Sequence, residues 1–334
     1  LARRRALARN RARRCDGRQS RSRLGRMFAR ARDDALDEDG FNAVRAFVDA
    51  YVELVDAGYD PGARSERVED DDAEWSDDDD DDAARAIGER DDAGTSSQTL
   101  TSSFWIPRRA FDRPRNAVEA YVGALTRAGT APARARGGAE WWVQDVAWDE
   151  RPKVYHTDCD VEYRGGREAG DDGATMRRFP DVASVLYLDG DDGGGATVVF
   201  DQTTTEEATG KLAPRSPRLA CACGVKRNRV LLFAGDRWHG VLKNSSAFRG
   251  QRVTLLVNWW STKPAGAREL PNRFVDRRGS ERVIAKVGSL IEVPMSTVVR
   301  ASYEDDRRAW DAHEAPVTMD RFSVARFEYP EEET

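Results

Sequence analysis

Two histidines and one aspartate are the residues of this 334-residue chain whose types and spacing best suit metal chemistry. His156 and Asp158 stand two residues apart, and on an extended strand such residues point to the same face. A neutral imidazole and a carboxylate on one face are two ligands for a divalent transition metal. His239 follows the apolar run 230–233, which predicts a histidine at a strand end. A closed sheet would bring His239 opposite the other two.

Two imidazoles and one carboxylate form the facial triad that occupies one side of an octahedral metal and leaves the other side open. That arrangement suits non-haem Fe(II), which needs room for a chelating co-substrate and for oxygen. A structural zinc site would close its shell with a fourth protein ligand, and none is evident in the sequence. The chain has three histidines, and we expect the remaining one, His313, to lie on the surface beyond the predicted strands.

An arginine at the head of an apolar strand predicts a binding site for a carboxylate. Arg252 begins the run 252–260 and shares one face of it with Thr254. Such an arginine is costly inside a protein unless it is paired, and guanidinium binds carboxylate in a fork. A bound dicarboxylate would pair it, with hydroxyls from Thr254 and Tyr187 as further donors. Arg249 is the competitor for this role, but it stands in a predicted turn.

The segment pattern predicts a mainly β protein. Short runs rich in β-branched and aromatic residues follow one another with Gly/Asp turns and almost no helix between them, which favours a sandwich or a double-sheet jelly roll over a βαβ fold. The predicted strands are 101–106, 141–146, 153–158, 182–188, 196–200, 229–234 and 252–260. A pair of short strands is also predicted around Gly288-Ser289.

Two helices are predicted before these strands. Apolar residues at helical spacing run from Phe41 to Val55, and Gly58 and Pro61 follow as stop signals. Asp112 and Pro114 are expected to open a second helix that ends near Gly129.

The predicted domain borders follow shifts in composition. Residues 1–97 form an Arg-rich head, a helix and an acidic linker, residues 98–265 form the jelly-roll domain, and residues 266–334 form a C-terminal extension. The segment 69–82 is almost wholly acidic, so it should repel itself and act as a disordered linker.

The Arg-rich head, residues 1–32, has three interpretations: a solvated tail, an organelle transit segment, or a basic arm for nucleic acid or an anionic surface. A tail is favoured, with transit second. Binding to nucleic acid is not expected, because a single aromatic residue, Phe28, lies among these arginines, and stacking on successive bases needs several.

Cysteine usage and hydropathy narrow the compartment. The four cysteines, Cys15, Cys159, Cys221 and Cys223, show no disulfide framework and no zinc-ribbon spacing, which favours free thiols in a reducing compartment such as the cytoplasm or an organelle. No apolar run reaches the ~20 residues of a membrane helix.

The net charge of -6 averages a basic head against an acidic linker and therefore identifies no partner. The oligomeric state is not readable from the sequence.

Several segments together resemble the Fe(II)- and 2-oxoglutarate-dependent dioxygenases, and among them the prolyl 4-hydroxylase-like branch. The resemblance covers about residues 98–262, with its segments in family order. They are 156–158, 184–189, 194–197, 236–241 and 252–254.

This resemblance implies a double-stranded β-helix in which His156, Asp158 and His239 hold iron. It further implies that Arg252 binds the distal carboxylate of 2-oxoglutarate, helped by Tyr187 and Thr254. The implied cofactor set is Fe(II), 2-oxoglutarate and O2, with ascorbate as a candidate reductant. The implied reaction hydroxylates an unactivated C–H bond, on a protein or peptide residue, and releases succinate and CO2.

Three departures bear on the substrate. Many prolyl 4-hydroxylases have lysine where Arg252 stands, and an acidic residue often stands where this chain has Ala196. The segment between Gln202 and Gly224 is long and is predicted to be a loop carrying Cys221 and Cys223. Two alternatives remain at this point: a catalytically silent jelly-roll module that binds metal or partners, and a cupin-type enzyme that uses another metal.

Overall fold

The computed structural model describes most of the region between Ala29 and Thr297. The described ranges are 29–57, 103–129, 137–147, 155–164, 174–190, 193–204, 211–215, 217–242, 244, 249–284, 290–293 and 296–297, with short strand segments at 302–304, 309–311, 317–318 and 323–324. Several features of the sequence lie outside them: residues 1–28 of the Arg-rich head with Cys15, Gly58 and Pro61, the acidic segment 69–82, and His313.

The described chain consists of many short strands and three helices. The first elements are β1 (Ala29–Arg32), α1 (Glu38–Asp56), β2 (Phe104–Pro107), α2 (Ala117–Arg127), β3 (Gly138–Ala147), β4 (Asp160–Arg164), β5 (Ala174–Arg178) and β6 (Val182–Tyr187). They are followed by β7 (Thr197–Thr204), β8 (Leu212–Ala213), β9 (Leu219–Cys223), β10 (Val230–Ala234), β11 (Arg237–Val241), β12 (Gln251–Trp260) and β13 (Arg268–Glu269). The C-terminal part adds α3 (Arg277–Glu281), β14 (Ile291–Glu292), β15 (Ser296–Thr297) and short strands at Ser302–Glu304, Ala309–Asp311, Val317–Thr318 and Ser323–Val324.

Two sheets form the core of the fold. The larger has the order β13-β2-β3-β12-β6-β10-β1-β14, and the smaller has the order β11-β7-β9-β15, with β8 beside β7. From β6 onward the chain passes to the smaller sheet for β7 and β9, returns for β10, crosses again for β11 and returns for β12. The pairs along this path are antiparallel. The predicted double-stranded β-helix, or jelly roll, is therefore confirmed.

The two faces of the larger sheet have different coverings. Along β12, Val253, Leu255, Val257 and Trp259 pack in an apolar core together with α1 and α2. The residues between them point into the space between the sheets, where Leu256 packs against a second apolar cluster. This alternation means that one strand supports the helices on one side and lines the barrel interior on the other.

The two long helices begin at side-chain caps. Asp37 accepts a hydrogen bond from the Gly40 amide at 2.9 Å, and Asn116 accepts one from the Glu119 amide at 3.0 Å. The predicted start of α2 at Asp112 is therefore too early, because residues 108–111 form a 3-10 turn and Asn116 is the cap. No helix in the described part of the chain has the length and apolarity needed to span a membrane.

The end of the predicted Arg-rich tail is part of the barrel. Residues 29–32 form β1, which pairs with β10, and Ala29 and Ala31 are buried in the barrel interior. The prediction of a solvated tail is therefore wrong for these four residues. Arginine-rich composition misled it, because in a strand only alternate residues must be apolar.

The C-terminal segment joins both sheets. Strand β14 pairs with β1 at the edge of the larger sheet, and β15 pairs with β9 in the smaller one. Val293, between them, is buried among the interior residues. Of the two short strands predicted around Gly288-Ser289, the described residues contain β14, while 285–289 lie outside them.

The predicted long loop from Gln202 to Gly224 is wrong, because it contains β8 and β9. Cys221 and Cys223 lie on β9, with their side chains buried as free thiols. Burial raises the pKa of both, that of Cys223 to about 11. Among the described residues, neither cysteine belongs to the one cluster of potential metal ligands, which consists of His156, Asp158 and His239.

Candidate metal centre

A backbone bridge brings His156 and His239 together. The amide of each histidine donates to the carbonyl of the other at 2.9 Å, and residues paired in this way project side chains to the same side. The prediction that residues 153–158 form a regular strand is wrong for the part that is described, because 156 makes this single bridge and 157–159 have no regular structure. The prediction that His239 stands after a strand is also refined: it lies within β11, in the sheet opposite β10.

The ligand atoms of His156, Asp158 and His239 all lie within 4.8 Å of one another. Asp158 Oδ1 is 3.3 Å from His156 Nε2, and Asp158 Oδ2 is 3.7 Å from His239 Nε2. The His239 side chain is 6% exposed and that of His156 is 40% exposed. The cluster is thus anchored in the barrel on one side and open to solvent on the other.

Neighbouring groups fix the orientation of two of these side chains. His239 Nδ1 lies 2.8 Å from the Arg237 carbonyl, which can only accept, so Nδ1 carries the proton and the Nε2 lone pair faces the cluster. The Phe233 ring packs against the His239 ring with centroids 4.8 Å apart. Asn258 Nδ2 donates to Asp158 Oδ2 at 2.9 Å. Such outer hydrogen bonds orient metal ligands and tune their affinity.

The ionisation states of the cluster suit a cation. Burial lowers the pKa of His239 to about 4, against the opposing effect of the Asp158 charge. Burial alone would raise the pKa of Asp158, but the two imidazoles and the hydrogen bond from Asn258 outweigh it and hold that pKa below its usual range. At neutral pH His239 is therefore a free base beside an ionised carboxylate, which are the forms that bind metal.

The donor set fits a divalent transition metal with an open coordination side. Nitrogen and carboxylate oxygen donors suit iron and its neighbours, and within the described residues the cluster contains these three ligands alone. A closed structural zinc site would need a fourth.

A second buried group points into the same barrel. Arg252 is 1% exposed; its Nε donates to the Gly195 carbonyl at 3.0 Å and its Nη2 donates to Thr197 Oγ1 at 2.9 Å. Its Nη1 is buried without a hydrogen-bond partner among the described residues. Burial lowers the pKa of this guanidinium, and no carboxylate of the described chain offsets that effect. An unfilled donor on a buried cation is the feature expected of a carboxylate site.

The other two predicted co-substrate residues lie beside Arg252, with their hydroxyls bonded within the protein. Tyr187 Oη donates to Thr197 Oγ1 at 2.7 Å and also lies 3.1 Å from the Cys223 carbonyl, while its ring is 5.4 Å from the Arg252 guanidinium. Thr254 Oγ1 donates to the Gln144 carbonyl at 3.3 Å. Arg249, the competitor for the arginine role, is exposed.

Two residues near the site escaped the sequence reasoning. Thr197, which ends the Gly-Gly-Ala-Thr motif, links Arg252 to Tyr187. Asn258 stands six residues after Arg252 on the same predicted strand. The two-residue period of a strand places both side chains on one face, so this spacing could have identified Asn258 as a residue of the site. Its contact with Asp158 depends on tertiary structure.

Comparisons with known proteins found similarity to solved structures alone. No family model matches the chain, and no curated protein matches it.

Several solved structures are similar to this chain over most of its length. A Pseudomonas putida prolyl-4-hydroxylase is 15% identical, covering 72% of this chain and 91% of its own, with a TM-score of 0.33. HygX from Streptomyces hygroscopicus, solved with nickel and 2-oxoglutarate bound, is 12% identical, with coverages of 76% and 95% and a TM-score of 0.35. The non-heme alpha ketoglutarate dependent carbocyclase SnoK, from nogalamycin biosynthesis, is 13% identical, with coverages of 75% and 89% and a TM-score of 0.38. At such identities and TM-scores these likenesses carry no argument about the site, whose interpretation rests on its own geometry.

Proposed function

We propose that this protein is an Fe(II)- and 2-oxoglutarate-dependent dioxygenase that hydroxylates an unactivated C–H bond on a protein or peptide residue. The observation that carries the proposal is a conjunction within one barrel. A three-ligand cluster lies open on one side, and a buried arginine has an unfilled donor.

Each half of this conjunction counts against a simpler interpretation. A buried Arg252 without a carboxylate partner is unfavourable unless a ligand completes it, so a bare scaffold gives no reason for it. A metal site with three protein ligands leaves positions for exchangeable ligands, as catalytic sites do and closed structural sites do not.

The division of work follows from the positions of the side chains. His156, Asp158 and His239 would hold Fe(II), and Asn258 keeps the Asp158 carboxylate oriented toward it. Arg252 would receive the distal carboxylate of 2-oxoglutarate through Nη1, while the Gly195 carbonyl and Thr197 fix its other nitrogens. Tyr187 and Thr254, which are paired across β6 and β12 beside Arg252, would help to bind the same carboxylate. With O2 as co-substrate, iron and 2-oxoglutarate supply the oxidising chemistry that hydroxylates C–H and releases succinate and CO2.

The barrel also determines where the substrate can approach. Phe233 covers one side of the His239 ring, and both His239 and Arg252 are buried, so a substrate cannot approach from that side. The exposed side of His156 is the open one, so the C–H bond to be hydroxylated would approach there.

The test is succinate release from 2-oxoglutarate in the presence of Fe(II) and ascorbate, comparing the natural protein with His239→Ala. We expect release from the natural protein and none above background from the variant. A matched control is Trp238→Phe, the neighbouring position on the other face of β11, which should retain activity. Equal release from the natural protein and His239→Ala would overturn the proposal.

Two further outcomes separate the alternatives. Metal binding without 2-oxoglutarate turnover, over a broad set of candidate peptides, would favour a silent metal-binding module. A protein purified without added iron that carries a different metal, and that turns over with it, would favour a cupin-type enzyme. Mass spectrometry of incubated peptides, read for a single added oxygen, would identify the modified residue.

A further inference from the structure

A partly buried carboxylate outside the ligand set lies beside the metal centre. Glu140 is on β3, directly opposite Asn258 of β12. Residues directly opposite in an antiparallel pair project from the same face of the sheet, and Asn258 donates to Asp158. The Glu140 side chain therefore shares the inner face with the metal cluster, and the proposed mechanism gives it no role.

The hydrogen-bond donors to Glu140 among the described residues are both neutral. Ser103 Oγ donates to its Oε1 at 2.6 Å, and Trp260 Nε1 donates to its Oε2 at 3.1 Å. Within the described ranges, no lysine, arginine or histidine lies at ion-pair distance from Glu140, whereas the nearby Asp160 is paired with Arg178. Burial, with further repulsion from Asp158 and Asp160, raises the pKa of Glu140 despite those two hydrogen bonds. A cation at this position would relieve both effects.

Three tryptophans lie on neighbouring positions of the same sheet, and one of them, Trp260, is hydrogen-bonded to Glu140. Trp142 follows two residues later on β3, on the same face, and is partly exposed, as is Glu140. Trp105 of β2 is directly opposite Glu140 on its other side, and it packs with Trp260 and Ala267. Indole faces attract organic cations, and the attraction grows when the cation is partly desolvated.

We infer that Glu140 and Trp142 form a subsite for an organic cation, so that the substrate carries an alkylammonium or guanidinium group close to the carbon that is oxidised. This inference rests on the proposed function, because it assigns a substrate class to the same site. The Glu140 carboxylate supplies the charge, and Trp142 supplies an aromatic ring on the same face of β3. Asn258 stands opposite Glu140 and is hydrogen-bonded to Asp158, so the subsite adjoins the metal cluster.

A purely structural role for Glu140 makes a different prediction. If Glu140 served only to tie β2 to the end of β12 through Ser103 and Trp260, replacing it would change stability without any preference between charged and neutral ligands. The discriminating measurement is therefore selectivity for charge.

The experiment uses four small probes and nuclear magnetic resonance. Nα-acetyl-lysine methylamide and Nα-acetyl-arginine methylamide carry the cation, and the norleucine and citrulline analogues are their neutral isosteres. With the full chain loaded with Mn(II) and 2-oxoglutarate, broadening of probe signals by the metal reports binding beside it. We expect each cationic probe to bind at least about fivefold more tightly than its isostere, as one charge-assisted contact allows. The lysine and arginine arms distinguish an ammonium from a guanidinium.

Two variants make the test decisive. Glu140→Gln should remove the preference for the cationic probes while Mn(II) affinity, read by electron paramagnetic resonance, is retained. Trp142→Leu leaves both hydrogen bonds of Glu140 intact and should weaken the cationic probes by about threefold, so it serves if the first variant does not fold.

The failures of the two proposals are distinguishable. Absence of Mn(II) binding counts against the proposed function, and saturation-transfer experiments on the metal-free chain then still measure the preference for cations. Normal Mn(II) binding with equal broadening by charged and neutral probes overturns the cation subsite alone. Unchanged selectivity in Glu140→Gln also overturns it.

Discussion

Two buried arginines, Arg229 and Arg252, lie on either side of Tyr187, and they differ in the groups that compensate their charge. Arg229 donates from Nε to Asp33 at 2.6 Å and from Nη1 to the Gly224 carbonyl at 2.7 Å, so its charge is compensated within the chain. Among the described residues, Arg252 has a carbonyl and a hydroxyl as partners, and its buried Nη1 has none. The first arginine ties the segment after β1 to the residue that precedes β10. The second is complete only when something else supplies a carboxylate.

The difference shows that burial of a charge does not by itself indicate its purpose. In a buried ion pair, removing one partner strongly destabilises the fold, because the other charge is then left buried without compensation. A buried charge without a partner is a destabilising feature, which is retained where a ligand compensates it. Four substitutions test this comparison.

The largest expected effect is on stability, from Arg229→Met. Removing this arginine leaves Asp33 with Lys226 as its partner, 2.7 Å away. We expect the free energy of unfolding to fall by about 3 kcal/mol, the lower end for breaking a buried pair, because Lys226 still neutralises the carboxylate. Chemical denaturation of the purified variant measures it. The affinity for 2-oxoglutarate of the molecules that remain folded should not change. A loss below about 1 kcal/mol would show that the pair is a surface interaction in practice.

Arg252→Met should have the opposite pattern. We expect the stability of the ligand-free protein to be equal or higher, because an uncompensated buried charge is removed. The 2-oxoglutarate concentration for half-maximal succinate release should rise about a hundredfold, the effect of losing a forked charge-assisted contact. The Fe(II) requirement should stay the same. Comparable losses in both requirements would contradict the assigned role.

Asn258→Ala tests the support of the metal ligand. Loss of the hydrogen bond to Asp158 should weaken metal affinity about tenfold, measured by competition with a metal-binding dye, since outer contacts of ligands commonly have effects of this size. The neighbouring Val257→Ala is the matched control on the other face of β12, and it should lower stability while metal affinity is retained. Equal metal affinity in the natural protein and Asn258→Ala would mean that Asp158 is oriented without it.

The smallest effect is expected from Thr254→Val. The hydroxyl of Thr254 donates to the Gln144 carbonyl over a long 3.3 Å, so its loss should change stability by about 1 kcal/mol or less. The 2-oxoglutarate requirement should rise about threefold at most if the hydroxyl stays bonded to the backbone. A rise close to that of Arg252→Met would show that Thr254 turns to the co-substrate and would strengthen its sequence-based assignment.

Much of the fold was readable from local patterns. Alternating and β-branched runs marked β3, β6, β10 and β12, because a strand buried on one or both faces needs such residues. Predictions failed where local composition and tertiary context disagree. Residues 29–32 read as a basic tail but pair with β10, and Cys221 and Cys223 read as loop cysteines but lie on β9.

The sequence by itself determined the kinds of chemistry available to this chain. The chain has three histidines, so His156 and His239 were easily identified as candidate ligands. Arg252 was identified because it begins an apolar strand, where a buried charge costs free energy unless it has a partner. Only the tertiary structure decided how these groups meet. The bridge between the two histidines, the hydrogen bond that sets the His239 tautomer, the unfilled Nη1 of Arg252 and the position of Glu140 beside Asn258 all arise between segments far apart in the chain. Spacing along a sequence specifies the face of a strand, but contacts across sheets depend on register, and register is fixed when the whole barrel closes.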